Sequence, residues 1–179
     1  MKKGRRMKRK VLIIAAGLAL AACATGTSDP VSGTIAVTGQ DYSFGGVPAV
    51  VASGAEFTFT NNSEAEAHEM RVMKVAVDET RTIEELLELP DSESGNLIEF
   101  RGALVALPGE AGVDPEGGAS SITVTEPGRY AVFCFIPQGA DPVAMAEAMQ
   151  GEGEGPPDLG DGTPHALLGM VEEFQVEEA

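Results

Sequence analysis

The chain has 179 residues, with 12 basic against 28 acidic side chains and a formal charge of −16. Met1–Lys10 holds seven of the twelve Lys and Arg residues, so beyond residue 22 five basic residues face 28 acidic ones, a net charge of −23. A surface of that sign repels nucleic acid and anionic lipid, which excludes nucleic-acid binding, and it either steers basic partners toward itself at low salt or serves solubility or a salty habitat alone.

The first 22 residues read as a targeting segment. A basic start is followed by the uncharged apolar run Val11–Ala22, too short to span a bilayer as a mature helix. The run closes on Leu20-Ala21-Ala22-Cys23, which resembles the lipobox of bacterial lipoproteins. That resemblance implies a lipid on the Cys23 thiol, a new N-terminus there, and attachment to the outer face of the bacterial cell membrane. The alternative is an ordinary secretory signal in which Cys23 is incidental, and export is expected in either case. The 157 residues from Cys23 onward suit one domain with a sizeable core. Residues 23–32, small and polar with Gly26, Ser28 and Pro30, read as a flexible tether. Residues 33–179 then form the domain.

Short strands with frequent turn signals follow. Thr34–Thr38 alternates, Gly39-Gln40-Asp41 turns, Tyr42–Phe44 resumes, and Gly45-Gly46 breaks the run. Val47–Val51 and Glu56–Thr60 are two further strands, with Phe57 and Phe59 on one face. Asn61-Asn62-Ser63 is turn chemistry, and an acidic loop leads into a strand over His68–Val77. This strand has Met70 and Val72 on the face of His68 and Met73 and Val75 opposite. Thr82-Ile83-Glu84-Glu85 has the form of a capping box and predicts a short helix stopped by Pro90. Asp91–Asn96 reads as loop, Leu97–Leu107 as one strand, and Ala119–Thr125 and Gly128–Ile136 as two strands joined at Glu126-Pro127-Gly128. Asp141 and Pro142 are an N-cap and a first helical residue for a small helix over Val143–Gln150. Residues 152–163 are acidic and rich in Gly and Pro, and Val171–Val176 is the last strand. The sum is an all-β Greek-key sandwich with one or two short helices.

Cysteine count isolates one thiol. With Cys23 lipidated, Cys134 has no disulfide partner, and either metal ligation or burial as a small apolar residue must account for it. His68, Cys134, His165 and Met170 are together two imidazoles, one thiol and one thioether, the donors that select copper in a His2Cys trigonal arrangement with a weak axial Met. Their order, and the five-residue step from His165 to Met170, resemble a cupredoxin, the plastocyanin-like family of blue-copper electron carriers. The resemblance spans Gly33–Val176 and implies one type 1 copper held by His68, Cys134 and His165 in the plane and Met170 along the axis. It implies a monomer that passes one electron between redox protein partners. Pro164, Ala166, Leu167 and Leu168 would form the docking patch around an exposed edge of His165.

Two features depart from the family. Thirty residues, 135–164, separate Cys134 from His165 where a few are usual. By the logarithmic law the longer loop costs on the order of 2 kcal/mol. Glu69 also follows the first histidine, where the family often has an Asn that ties the ligand loops together. Met70, Met73, Met145 and Met149 raise a different reading, a Cu(I) carrier or chaperone using His and Met ligands. A metal-free binding module of the same fold is a third. No G-x-S-x-G elbow is present, and the chain is not expected to be an enzyme.

Overall fold

The computed structural model describes residues 29–150 and 159–178, so the signal segment, Cys23 and most of the tether lie outside the described residues. The described elements, in chain order, begin with β1 Thr34–Gln40, β2 Ser43–Gly45, β3 Val50–Ala52, β4 Ala55–Asn61 and β5 His68–Val75. Helices α1 Ile83–Leu87 and α2 Asp91–Ser94 precede β6 Ile98–Ala106, β7 Ile122–Val124 and β8 Gly128–Phe133. Helix α3 Pro142–Met149, a 3₁₀ turn His165–Leu168 and β9 Val171–Glu177 complete the chain. One sheet has the order β2-β1-β4-β7 and the other β3-β9-β8-β5-β6. The pairs β1–β4 and β3–β9 are parallel and the remaining pairs are antiparallel.

The two sheets pack as a sandwich because alternate residues of each supply its filling. Ile35, Val37, Phe57 and Phe59 of one sheet join Met70, Val72, Leu104, Val132, Phe174 and Val176 of the other in one buried cluster. Phe174 stands at its centre, its ring 5.0 Å from that of Phe57 and 5.4 Å from that of Tyr130. Each large side chain so buried stabilises the fold by about 1.5–3 kcal/mol.

Strand β5 is apolar on both faces, and the structure gives the reason. Met70 and Val72 face the sandwich, while Met73 and Val75 belong to an outer cluster with Ile83 and Leu86 of α1, Ala131, Phe133 and Ala166. The helix that covers this outer face is the one the capping box predicts. The Thr82 hydroxyl accepts from the Glu85 amide at 3.3 Å, and the Glu85 carboxylate accepts from the Thr82 amide at 2.8 Å. The N-cap of α3 forms likewise, with Asp141 accepting from the Val143 amide at 2.9 Å.

Three local expectations are corrected. β1 runs through Gly39 to Gln40, so the turn to β2 is tighter than the residues suggested. Asp91–Ser94 is a single helical turn rather than loop, closed by Pro90 carbonyl bonds to the Glu93 and Ser94 amides. Val31, read as tether, pairs with Val51 and exchanges backbone hydrogen bonds with Val50 and Ala52, so sheet pairing reaches a residue before Gly33.

Candidate metal centre

β5 and β8 are antiparallel neighbours, so the start of one and the end of the other lie at the same end of the sheet. His68 opens β5, Cys134 follows β8 directly, and His165 comes from the connection that leads into β9. All three side chains are buried, His68, Cys134 and His165 each with no exposed surface. Their ligand atoms converge within 4.8 Å of one another. Nδ1 of His68 is 3.1 Å from Nδ1 of His165, and Cys134 Sγ is 3.9 Å from the first and 3.4 Å from the second.

These separations suit a shared metal ion. Imidazole nitrogens and a thiolate at about 2.0–2.3 Å from one ion, spread about 120° apart, stand roughly 3.5–3.8 Å from one another. The observed 3.1, 3.4 and 3.9 Å bracket that spacing. Protonation points the same way. Burial, with the neighbouring His165 as a lesser cause, lowers the pKa of His68 to about 4, so its ring is neutral and its lone pair available. Burial pushes the Cys134 thiol up to about 12, so the site favours a thiol until a cation replaces its proton. His68 Nε2 is buried without a hydrogen-bond partner, which leaves Nδ1 as the only nitrogen of that ring with neighbouring donor atoms.

Met170 is fully buried, and its backbone is tied to both neighbours in the site. Its amide donates to the His165 carbonyl at 2.9 Å, and its carbonyl accepts from the Cys134 amide at 3.2 Å. Gly169 makes this return possible for a reason other than close packing. It sits at φ 106 in the left-handed region that ends the 3₁₀ turn, and an added Cβ there would meet nothing nearer than the Tyr42 carbonyl at 3.8 Å.

The thirty-residue excursion closes on itself before it reaches the site. Pro137 and Pro164 form an antiparallel bridge. The Gln138 amide donates to the Thr163 carbonyl at 2.9 Å and the His165 amide to the Ile136 carbonyl at 3.0 Å. The chain thus leaves and re-enters as a short ladder. Glu69 ties the start of β5 to the segment around Cys134. Its amide donates to Cys134 Sγ at 3.4 Å, its Oε1 accepts from the Phe135 amide at 2.9 Å, and its Oε2 pairs with Arg71 at 3.1 Å.

Two sequence expectations about the surface do not hold. The His165 ring has no exposed edge: Nε2 stands 2.6 Å from Glu66 Oε2, and the Tyr42 ring packs edge-on against it with centroids 5.0 Å apart. Ala166 is buried in the outer cluster, whereas Leu167 and Leu168 are 56% and 39% exposed and Pro164 is half-buried. Among the methionines of the carrier reading, Met70 and Met145 are buried in the main cluster with Met149 packed against it, and Met73 lies on the opposite face of β5. Glu66 and Tyr42 went unrecognised in the sequence, since an acidic residue in an acidic loop carries no local mark of a contact formed 99 residues away.

No protein-family model matches the chain, and no curated protein matches it. Among solved structures it is similar to the dithionite-reduced auracyanin of the photosynthetic bacterium Roseiflexus castenholzii, with 18% identity over 82% of this chain and 98% of that one, at a TM-score of 0.46. Auracyanin A, a "blue" copper protein of the green thermophilic photosynthetic bacterium Chloroflexus aurantiacus, is 17% identical over 80% of this chain and 98% of its own, at a TM-score of 0.43. A multi-copper oxidase of Pediococcus acidilactici is 9% identical, covering 96% of this chain and 31% of the oxidase, at a TM-score of 0.34. By its own topology the chain is a two-sheet β-sandwich that gathers the donor atoms of His68, Cys134 and His165, two imidazoles and one thiol, at one end.

Proposed function

We propose that the protein is a copper-binding electron carrier at the extracytoplasmic membrane surface. The observation that carries this reading is the convergence of two Nδ1 atoms and one Sγ atom from three separate chain segments into one fully buried cluster. His68, Cys134 and His165 would hold the metal, with Met170 as the axial donor. Copper, when bound, supplies a one-electron Cu(II)/Cu(I) couple. The protein's part is to keep water out, to supply two imidazole nitrogens, and to stabilise the thiolate through the Glu69 amide.

Leu167 and Leu168, with Pro164 beside them, are the apolar surface nearest His165 in the chain and form the docking patch of this proposal. The net charge of −23 beyond residue 22 favours a redox partner with a basic face. Attachment through lipidated Cys23 keeps the carrier at the membrane, and two or more acyl chains make that attachment stable. Replacing Cys23 by Ser should move the protein to the soluble fraction. An unchanged membrane fraction removes the lipoprotein reading.

The deciding experiment is a Cu(II) titration of residues 24–179. An intense blue thiolate-to-copper charge-transfer band is expected, and Cys134→Ser should abolish it. Copper bound without colour supports the Cu(I) carrier instead, and absence of binding supports a metal-free module. The carrier reading has less to rest on, since Met70 and Met73 lie on opposite faces of one strand.

A further inference from the structure

The side of His165 that faces away from the donor cluster is built as carefully as the cluster itself. Nε2 stands 2.6 Å from Glu66 Oε2, and Glu66 Oε1 accepts from the Tyr42 hydroxyl at 3.1 Å. The Tyr42 oxygen in turn accepts from Gln138 Nε2 at 2.8 Å. The loop that carries Glu66 is pinned at its root. Asn61, fully buried, donates from Nδ2 to the Glu66 carbonyl at 2.8 Å and to the Ala106 carbonyl at 3.1 Å, and the Glu66 amide donates to Ser63 Oγ at 3.1 Å. Tyr42 is the only non-glycine residue with positive φ among the described residues, at 63°. A bulky side chain in that region is strained and persists only where its surroundings impose it. Three connections, the Asn61–His68 loop, the β1–β2 turn and the start of the long excursion, therefore meet on one imidazole edge.

We propose that Glu66, oriented by Tyr42 and Gln138, is a positioning residue. It holds His165 with its proton on Nε2 and its Nδ1 lone pair aimed at Cys134 and His68, and its charge favours oxidised over reduced copper at this centre. A carboxylate that accepts the distal N–H of a ligating imidazole fixes the tautomer and ring orientation and raises the basicity of the other nitrogen. Its negative charge attracts the more highly charged ion more strongly, and at 22% exposure Glu66 is only partly screened by water. The geometric half stands on the contacts alone, and the redox half rests on the copper reading above.

The test has one readout without metal and one with it. In metal-free protein carrying 15N-histidine, the proton of His165 should reside on Nε2 and exchange slowly. Glu66→Gln should keep that tautomer, because its side-chain oxygen still accepts, and Glu66→Ala should lose the slowly exchanging proton. In the copper-loaded protein, Glu66→Gln should lower the ratio of Cu(II) to Cu(I) affinity about tenfold, a rise of about 59 mV in potential for a one-electron couple. Glu66→Asp should restore part of the difference. Tyr42→Phe should move the potential the other way by a smaller amount, since the carboxylate loses a donor that compensates its charge. A wild-type proton on Nδ1 overturns the positioning role. A potential that does not move in Glu66→Gln overturns the redox role while copper binding itself stands. A wild type that takes no copper overturns the redox role together with the copper reading, and the tautomer still decides the positioning role.

Discussion

The long excursion between Cys134 and His165 offers the sharpest separation of the copper-carrier and electron-carrier readings. Consider replacing residues 141–161 by about four Gly and Ser residues, enough to turn between the two arms of the ladder. The Pro137–Pro164 bridge, the Gln138–Thr163 bond and the Gln138–Tyr42 bond are all left in place. The loop between the two ligands shrinks from thirty residues to about thirteen, which recovers about 0.7 kcal/mol of closure entropy. Against this, the deletion removes Met145, which is 6% exposed in the main apolar cluster, at a cost of about 1.5–3 kcal/mol. The expected net effect is a fold weaker by about 1–2 kcal/mol, read as a lower thermal transition of the metal-free protein. Copper affinity and the blue band should be retained, with affinity within a factor of about three of wild type, because none of His68, Cys134, His165 and Met170 lies in the deleted segment. If copper is lost while the thermal transition falls by no more than that expected amount, Met145 and Met149 are ligands, and the electron-carrier reasoning is wrong at its root.

Three further outcomes test individual contacts. Glu69→Ala should destabilise the metal-free protein by about 1–2 kcal/mol in denaturant titration, since the Phe135 amide loses its acceptor, whereas Glu69→Gln keeps that acceptor and should cost less than about 1 kcal/mol; equal effects of the two variants would refute the proposed tie. Because burial holds the Cys134 thiol near 12, binding of each copper at neutral pH should release about one proton into weakly buffered solution, and Cys134→Ser should release none. The hydrogen bond from Lys74, followed by that from Arg101, holds the Glu126 carboxyl down to about 2 from an ordinary 4.5. Its contribution to stability is complete above pH 4.5 and is lost as the pH falls toward 2, so Glu126→Gln should flatten that part of the acid limb, weakly because the side chain is half exposed.

What the sequence by itself determined are the features whose causes are local. Alternation marks β1 and β4, the Thr82–Glu85 box marks α1, Asp141 with Pro142 marks α3, and the scarcity of His and Cys singles out the donors whatever their distance apart. Period, capping and donor softness are properties of a residue and its near neighbours, so they survive in a one-dimensional string. What only the tertiary structure decided are contacts between segments. The two-sided burial of β5 follows from α1 lying over its outer face, and the burial of Ala166 from the same outer cluster. The closing of the excursion at Pro137 and Pro164 depends on a ladder between residues 27 apart, and the tie made by Glu69 on a strand and a ligand loop meeting 66 residues apart. The Glu66 contact with His165 is the extreme case: one carboxylate among 28 acidic residues differs from the rest only because three connections fold onto the same imidazole edge. Such a contact is set by the packing of the two sheets, which no local pattern encodes.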